Sequence, residues 1–365
     1  MKSKSLSIIL VTAIASSFAC GFDVKNIKTK SPSSKPNNTV SAKKVIINAG
    51  SNRITMIQPA GENLKYPVYI PYSEKENGKY TDKNIEVLHQ PFLIAETEMT
   101  NETALVILQW ALKNGRLSTD FKKHNGVNAD WIKYGGNHII DLRINEIKYS
   151  VSDKSFLINS GYAKYPFVQI NWSGAVMMCN WLTEMVYGNT SELVYSGISE
   201  KWNPDSTKSN IKKKGFRLPA HAEYVFAARC LGNKKPTGGS LAKDYVATEL
   251  NGGMNVLTQG LYWTPGRYAS GAKEPYTNES ETLRVAVPRS ETPKPVATKA
   301  KNTFGLYDIS GNVDEWMDDF RHIYGANFRT TGGGSDLERL QSAEKDLQSS
   351  AASGLKLGMR LAKTP

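Results

Sequence analysis

Residues 302–316 of this chain read NTFGLYDISGNVDEW, and this stretch decides the fold that the rest of the sequence supports. It places Asp308, the turn residue Gly311 and Glu315 within eight positions. Carboxylates and backbone carbonyls held in one tight turn are the ligands that a hard cation such as Ca²⁺ requires. From the residues alone, an acidic turn that is satisfied by backbone N–H groups without a metal stays an open alternative.

Three other segments carry the same signal: FRLP at 216–219, AEYVFAAR at 222–229 and GLKLGMRLAKTP at 354–365. Together with 302–316 they resemble the formylglycine-generating-enzyme/sulfatase-modifying-factor family, a branch of the C-type-lectin-like fold. The core motifs span about 90–365. The resemblance implies an α+β, C-type-lectin-like fold that is rich in loops, with short twisted sheets and a few helices.

In that family the segment matching 308–315 holds a calcium ion. The residues that match its ligands are Asp308 and Glu315 through their side chains, and Gly311 and Val313 through their backbone carbonyls. The resemblance therefore implies a structural Ca²⁺ as the cofactor. Asp314 stands where the family often has tryptophan, which is a departure from its pattern.

The active enzymes of this family carry a cysteine pair just after an Arg-Gly-Gly-Ser-Trp-like segment. Here the matching residues 332–336 read GGGSD, and no cysteine follows them. The chain has three cysteines, Cys20, Cys179 and Cys230, and no G-x-S-x-G nucleophile motif. We therefore expect a scaffold that is not an enzyme. A Cys179–Cys230 disulfide stays open, because spacing alone cannot establish it.

The first residues have the layout of a secretory signal. Lys2 and Lys4 precede the short apolar stretch LSIILVTAIA, and Cys20 follows a small residue at its end. This pattern predicts a signal peptide over 1–19, lipidation of Cys20 and a lipid-anchored flexible tether over 20–45. An ordinary signal peptide with an incidental cysteine is the alternative. The predicted location is the bacterial cell envelope, at the outer membrane or cell surface.

Composition suits a globular domain over 46–365. The chain is 40% hydrophobic, with a net charge of +12 and a pI near 9.3. Its lysines are dispersed and no nucleic-acid-binding module is recognisable, so we expect no nucleic-acid partner.

Local patterns predict several elements. Residues 46–99 favour strands, and a helix is expected over 101–115, capped by Asn101 and stopped by Gly115. A strand followed by a helix is expected over 165–188, and a third helix over about 220–230. Loops are expected over 116–165, 189–214 and 231–300.

The predicted function is binding of an unknown protein or glycan by a surface around 317–356. Aromatic and arginine side chains, which are common at binding hot spots, cluster there: Arg321, His322, Tyr324, Asn327, Phe328 and Arg329. Inward packing of the aromatic residues is the alternative. Three functions remain open at this point: an envelope lipoprotein with a lectin-like ligand face, such as a variable protein of a diversity-generating retroelement; a structural part of a gliding or secretion assembly; and an enzyme with an atypical site.

Overall fold

The computed structural model describes the chain from Ala42 to Pro365 with gaps. The described residues are 42–59, 68–76, 79–88, 90–117, 123–124, 128–129, 131–134, 137–198, 207–232, 262–263, 268–274, 277–288, 292–323, 326–332, 345–349 and 356–365. They all fall within one compact unit, Thr39–Pro365. The predicted signal peptide and most of the predicted tether lie outside the described residues.

A five-stranded antiparallel sheet joins both ends of the described chain. Its order is β1 (Lys43–Ala49), β2 (Asn52–Gln58), β5 (Leu93–Ala95), β21 (Ala362–Lys363) and β14 (Phe216–Arg217). The hairpin between the first two strands turns at Gly50, whose φ of +60° favours glycine. The strands expected within 46–99 are confirmed here and in the hairpin of β3 (Val68–Glu76) and β4 (Lys79–Leu88).

The last part of the chain forms a four-stranded sheet in the order β19 (Lys345–Ser349), β18 (Ala326–Gly332), β17 (Asp314–Ile323) and β20 (Leu357–Met359). The pairing of β17 with β20 is parallel, and the other two pairings are antiparallel. Strand β19 lies within the polar stretch 335–353, which reads SDLERLQSAEKDLQSSAAS.

Two helices follow local sequence signals closely. Helix α1 spans Asn101–Lys113, and helix α2 spans Trp172–Tyr187, between the cap Asn171 and a left-handed Gly188. The cap predicted for α1 is wrong by one residue. The side chain of Thr100 accepts from the Thr103 N–H, whereas Asn101 donates to the carbonyl of Tyr162. Helices α3 (His221–Arg229) and α4 (Glu279–Val285) complete the described helices.

The loop predicted over 116–165 is wrong for the described residues. This region contains β6 (Lys123–His124), β7 (Asn128–Ala129), β8 (Trp131–Tyr134), β9 (Asn137–Asp141), β10 (Ile147–Ser150) and β11 (Ser155–Ile158). Strands this short do not extend far enough to show the alternation by which a strand is recognised in sequence. Two further short pairs are β12 (Tyr195–Ser196) with β13 (Lys208–Ser209), and β15 (Cys230–Gly232) with β16 (Tyr262–Trp263).

Two buried tryptophans connect the second helix to the C-terminal sheet. The Trp172 indole N–H donates to the carbonyl of Met317 at 2.9 Å, and the Trp316 indole N–H donates to the carbonyl of Ile170 at 2.9 Å. Both side chains are almost fully excluded from solvent, and both belong to the main core. The reciprocal bonds satisfy the indole donors, as burial requires, and they fix the strand that follows the 308–315 turn.

Among the described helices, none is both long enough and apolar enough to span a membrane.

Candidate functional site

A fully buried guanidinium lies next to the predicted calcium turn. Arg360 donates to both carboxylate oxygens of Glu315, with N···O distances of 2.8–3.1 Å. Its remaining donors reach the backbone carbonyls of Ala95, Tyr307 and Asp308 at 3.0, 2.9 and 3.2 Å. Arg360 therefore connects the five-stranded sheet, the start of the turn and β17 through one side chain.

A second buried acid, Glu98, binds the middle of the turn through hydrogen bonds. Glu98 accepts from the Asn312 side-chain amide at 2.7 Å and from the Val313 N–H at 3.2 Å. Its side chain is almost completely buried. With Asp308 and Glu315 it forms what we call the acidic cluster, and sequence reasoning identified only the latter two members. Glu98 is far from them along the chain and belongs to no acidic motif, so no local signal could have identified it.

Asp308 begins the turn in a left-handed conformation with φ of +53°. Its Oδ2 accepts from the Ala297 N–H at 2.7 Å, whereas its Oδ1 is buried and has no hydrogen-bond partner. Asn312 is also left-handed, with φ of +60°, and its Oδ1 accepts from the Lys294 N–H at 2.9 Å. Aspartate and asparagine tolerate this conformation better than most residues, which explains their place in the turn.

The acidic cluster combines three carboxyl groups with one buried guanidinium, that of Arg360, and Lys299 acts with Arg360 to lower the pKa of Asp308. Burial raises the pKa of Glu98 well above its usual value, and the charges of Asp308 and Glu315 add to that rise while Arg360 opposes it. Burial also raises the pKa of Asp308 and of Glu315, although Arg360 opposes the rise at Glu315. Buried carboxylates that share one guanidinium need either a proton or a further cation to balance their charge.

The predicted ligand residues fit such a cation. The unpartnered Oδ1 of Asp308 is a buried acceptor, and a carboxylate such as Glu315 has about four acceptor positions, of which Arg360 uses three. Within the described residues, no group of three or more His, Cys, Asp or Glu side chains is arranged to hold a metal. This finding does not test the predicted calcium site. Only two members of that site, Asp308 and Glu315, are side-chain ligands, and Gly311 and Val313 would supply backbone carbonyls. Calcium binding here stays a prediction.

A second buried ion pair lies at the start of α3. Arg217 donates to both oxygens of Glu223 at 2.5 and 2.6 Å, and Glu223 also accepts from the Ala220 N–H at 2.9 Å. Glu223 therefore ties the start of this helix to the backbone just before it. The sequence did not indicate that Arg217 would be its partner.

Cys179 is a free thiol, and it is fully buried in α2. Burial raises the pKa of this thiol well above its usual value, and the nearby Asp318 raises it further. The thiolate is the reactive form of cysteine, so Cys179 is a packing residue of the main core. The disulfide to Cys230 that the sequence left open is not formed. Cys20 lies outside the described residues.

The predicted ligand surface falls on the hairpin of β17 and β18. The register pairs Arg321 with Phe328, His322 with Asn327 and Phe320 with Arg329. Tyr324 is outside the described residues. The structure thus brings five of the six predicted residues onto one hairpin, in alternating register positions.

Comparisons with known proteins agree with this architecture. The model of a family described as "Sulfatase-modifying factor enzyme 1-like domain" matches residues 29–365. A relative named "Chaperone protein LppX", from Paenibacillus barcinonensis, is 26% identical over 186 residues, which cover 46% of this chain and 59% of that protein. The chain therefore spans less than two thirds of that relative's length.

Among solved structures, Treponema denticola variable protein 1 superimposes with a TM-score of 0.53 and 21% identity. The match covers 88% of this chain and 99% of that one. This likeness concerns the fold, and it confirms the C-type-lectin-like architecture that the sequence predicted.

Proposed function

The chain belongs to the family of sulfatase-modifying factor enzyme 1-like domains, and from this premise we propose that it is a non-catalytic binding protein of the bacterial cell envelope. The observation that carries the proposal is the state of its cysteines. Cys179 is buried and its thiol pKa is raised, and no cysteine occurs in residues 231–365. Metal-assisted thiol chemistry requires accessible soft sulfur ligands, and this chain offers no such pair near its C-terminal segment.

The proposed ligand is a protein or a glycan that contacts the hairpin of β17 and β18. The printed name of the Paenibacillus relative, a chaperone, favours a protein partner. The hairpin supports the proposal because its register places Arg321, His322 and Asn327 at adjoining positions of β17 and β18. Such placement suits recognition, since loops and strand ends held by a fixed scaffold commonly carry binding functions.

The first expected result is that the purified chain does not convert a peptide that carries the sulfatase modification motif. Mass spectrometry of the peptide after incubation with copper and oxygen should show the cysteine unchanged. An active family member in the same assay provides the positive control. Conversion of the peptide by this chain would contradict the non-catalytic proposal, and loss of that activity in Cys230→Ser would then identify the residue responsible.

The second expected result concerns Cys20, the predicted lipidation site. Replacing Cys20 by alanine should move the protein from the membrane fraction to the soluble fraction or leave it unprocessed, because the acyl chains that anchor it would be absent. Fractionation and mass spectrometry of the mature N-terminus measure this directly. Cys179→Ala serves as the matched control and should stay in the membrane fraction. An unacylated mature terminus at another residue would show that the protein is not a lipoprotein.

A further inference from the structure

A cavity of about 820 Å³ lies over one face of the five-stranded sheet. Every strand of that sheet contributes to its lining, and the C-terminal end of α2 forms a wall. Most of the lining is apolar, supplied by Val45, Ile47, Leu93, Val186 and Phe216. This volume lies within the range of ordinary small-molecule sites, which are mainly apolar with a few polar groups that orient the ligand.

One of the polar groups is an amide with an unused donor. Gln58 lines the cavity, its side chain is only 3% exposed, and its Nε2 has no hydrogen-bond partner. Leaving a buried donor unpaired costs free energy, so proteins rarely keep one without a reason. A ligand in the cavity that presents an acceptor would satisfy it.

The second polar group is an ammonium. Lys363 lines the same cavity and is only 7% exposed. Its Nζ donates to the carbonyl oxygen of Thr364 at 2.9 Å, and within the described part of the chain it forms no ion pair. Burial lowers the pKa of Lys363, and the positive charges of Lys214 and Arg217 lower it further, while Glu192 opposes them. Among the described residues, Lys363 is therefore a buried cation of the cavity that makes no direct ion pair.

The other hydrogen-bonding side chains around the cavity are already occupied. The Tyr187 hydroxyl donates to the carbonyl of Lys214 at 2.9 Å. The Gln90 amide and the Thr364 hydroxyl both donate to the carbonyl of Ile211. Lys43 also lines the cavity, but its side chain is exposed at the rim. Among the described residues, the Gln58 amide and the Lys363 ammonium are the buried side-chain groups left to orient a ligand from within, and both are donors.

We propose that this cavity binds a fatty carboxylate, with its head group at Gln58 and Lys363 and its chain along the apolar lining. The Gln58 amide and the Lys363 ammonium could each donate to one oxygen of a carboxylate, and the buried ammonium of Lys363 matches the single charge of that group. A phosphate monoester has more charge and more oxygens than these two groups can satisfy. A neutral chain would leave Lys363 without a counter-ion. The site uses neither the acidic cluster nor the hairpin of β17 and β18, so it is independent of the proposed function.

Isothermal titration of the full chain with laurate in detergent-free buffer tests this proposal. We expect saturable binding with one ligand per chain. Dodecanol should bind at least about tenfold more weakly, because it lacks the charge that pairs with Lys363. Acetate should not bind measurably, since it lacks the chain that fills the apolar lining.

Two variants separate this site from nonspecific uptake. Lys363→Met should weaken laurate binding at least about tenfold and leave dodecanol binding unchanged. Gln58→Leu should also weaken laurate binding, yet raise the melting temperature of the ligand-free protein, because it removes an unpaired buried donor. Lys113→Met, an exposed change on α1, is the matched control and should bind laurate normally.

Absence of saturable laurate binding would overturn the proposal. Equal affinities of the wild type for laurate and dodecanol would overturn it as well, and that comparison needs no variant. Laurate binding that both Lys363→Met and Gln58→Leu leave unchanged would place the ligand elsewhere.

Discussion

Replacing Arg360 by methionine is expected to lower the free energy of unfolding by about 3–5 kcal/mol, because breaking a buried ion pair leaves an uncompensated charge. Both Arg360 and Glu315 are fully buried, so water cannot solvate the carboxylate that remains. The same change also removes the donors that satisfy the carbonyls of Ala95, Tyr307 and Asp308. Urea unfolding followed by fluorescence of the buried tryptophans measures the loss.

The double variant Arg360→Met/Glu315→Leu tests the cause of that loss. It leaves no charge of the pair buried, so it should recover part of the stability, although the three carbonyls still lack their donor. Lys164→Met is the matched surface control, since Lys164 pairs with Glu102 at an exposed position. Its effect should stay below about 1 kcal/mol. A loss of similar size in Arg360→Met and Lys164→Met would show that the pair does not hold the turn.

Calcium is expected to raise the melting temperature of the wild-type protein. At a free concentration of a hundred times the dissociation constant, binding to the folded form alone adds about 2.7 kcal/mol. The acidic cluster provides the physical reason, because the mutual repulsion of its carboxylates and the unpartnered Asp308 oxygen are both relieved by a bound cation. Melting curves in calcium and in a chelator measure the effect.

The calcium effect should grow as the pH rises. The folded-state pKa values of Glu98, Asp308 and Glu315 are raised, so the folded protein binds more protons than the unfolded chain. The stability that this proton binding contributes is fully present at a pH below the pKa values of the unfolded chain. It is lost as the pH rises through the pKa values of the folded protein. A cation replaces those protons, so the shift caused by calcium should be larger at pH 8 than at about pH 5, close to the unfolded pKa values.

Asp308→Asn should abolish the calcium shift, because it removes the charge and keeps the size of the side chain. Asp153→Asn, at an exposed position, is the control and should keep the shift. Identical wild-type curves in calcium and in chelator at both pH values would show that protons and Arg360 alone balance the acidic cluster.

Helices α1, α2 and α3 and the acidic turn could be predicted because their signals are local, whereas the short helix α4 lies within 231–300, where a loop was predicted. Helix α2 lies between Asn171, whose side chain accepts from the Gly174 N–H, and the left-handed Gly188. These caps are within one turn of the helix ends, so the sequence displays them directly. The short strands between 116 and 165 were missed for the opposite reason. Pairing with distant segments stabilises them, as when Ser150 pairs with Asn128, and even the alternation of buried positions in β10 extends over only four residues.

The sequence by itself determined the family, the C-type-lectin-like fold and the absence of a C-terminal cysteine pair, since each of these depends on which residues follow one another. The tertiary structure decided how the site is held together. Arg360 and Glu315 are 45 positions apart, and Glu98 contacts Asn312 across 214 positions. The cavity with Gln58 and Lys363 forms where five strands from the beginning, the middle and the end of the described chain meet one helix. Such contacts form because folding brings distant segments together to bury apolar surface, and the polar groups buried with them must then find partners wherever the packing places them.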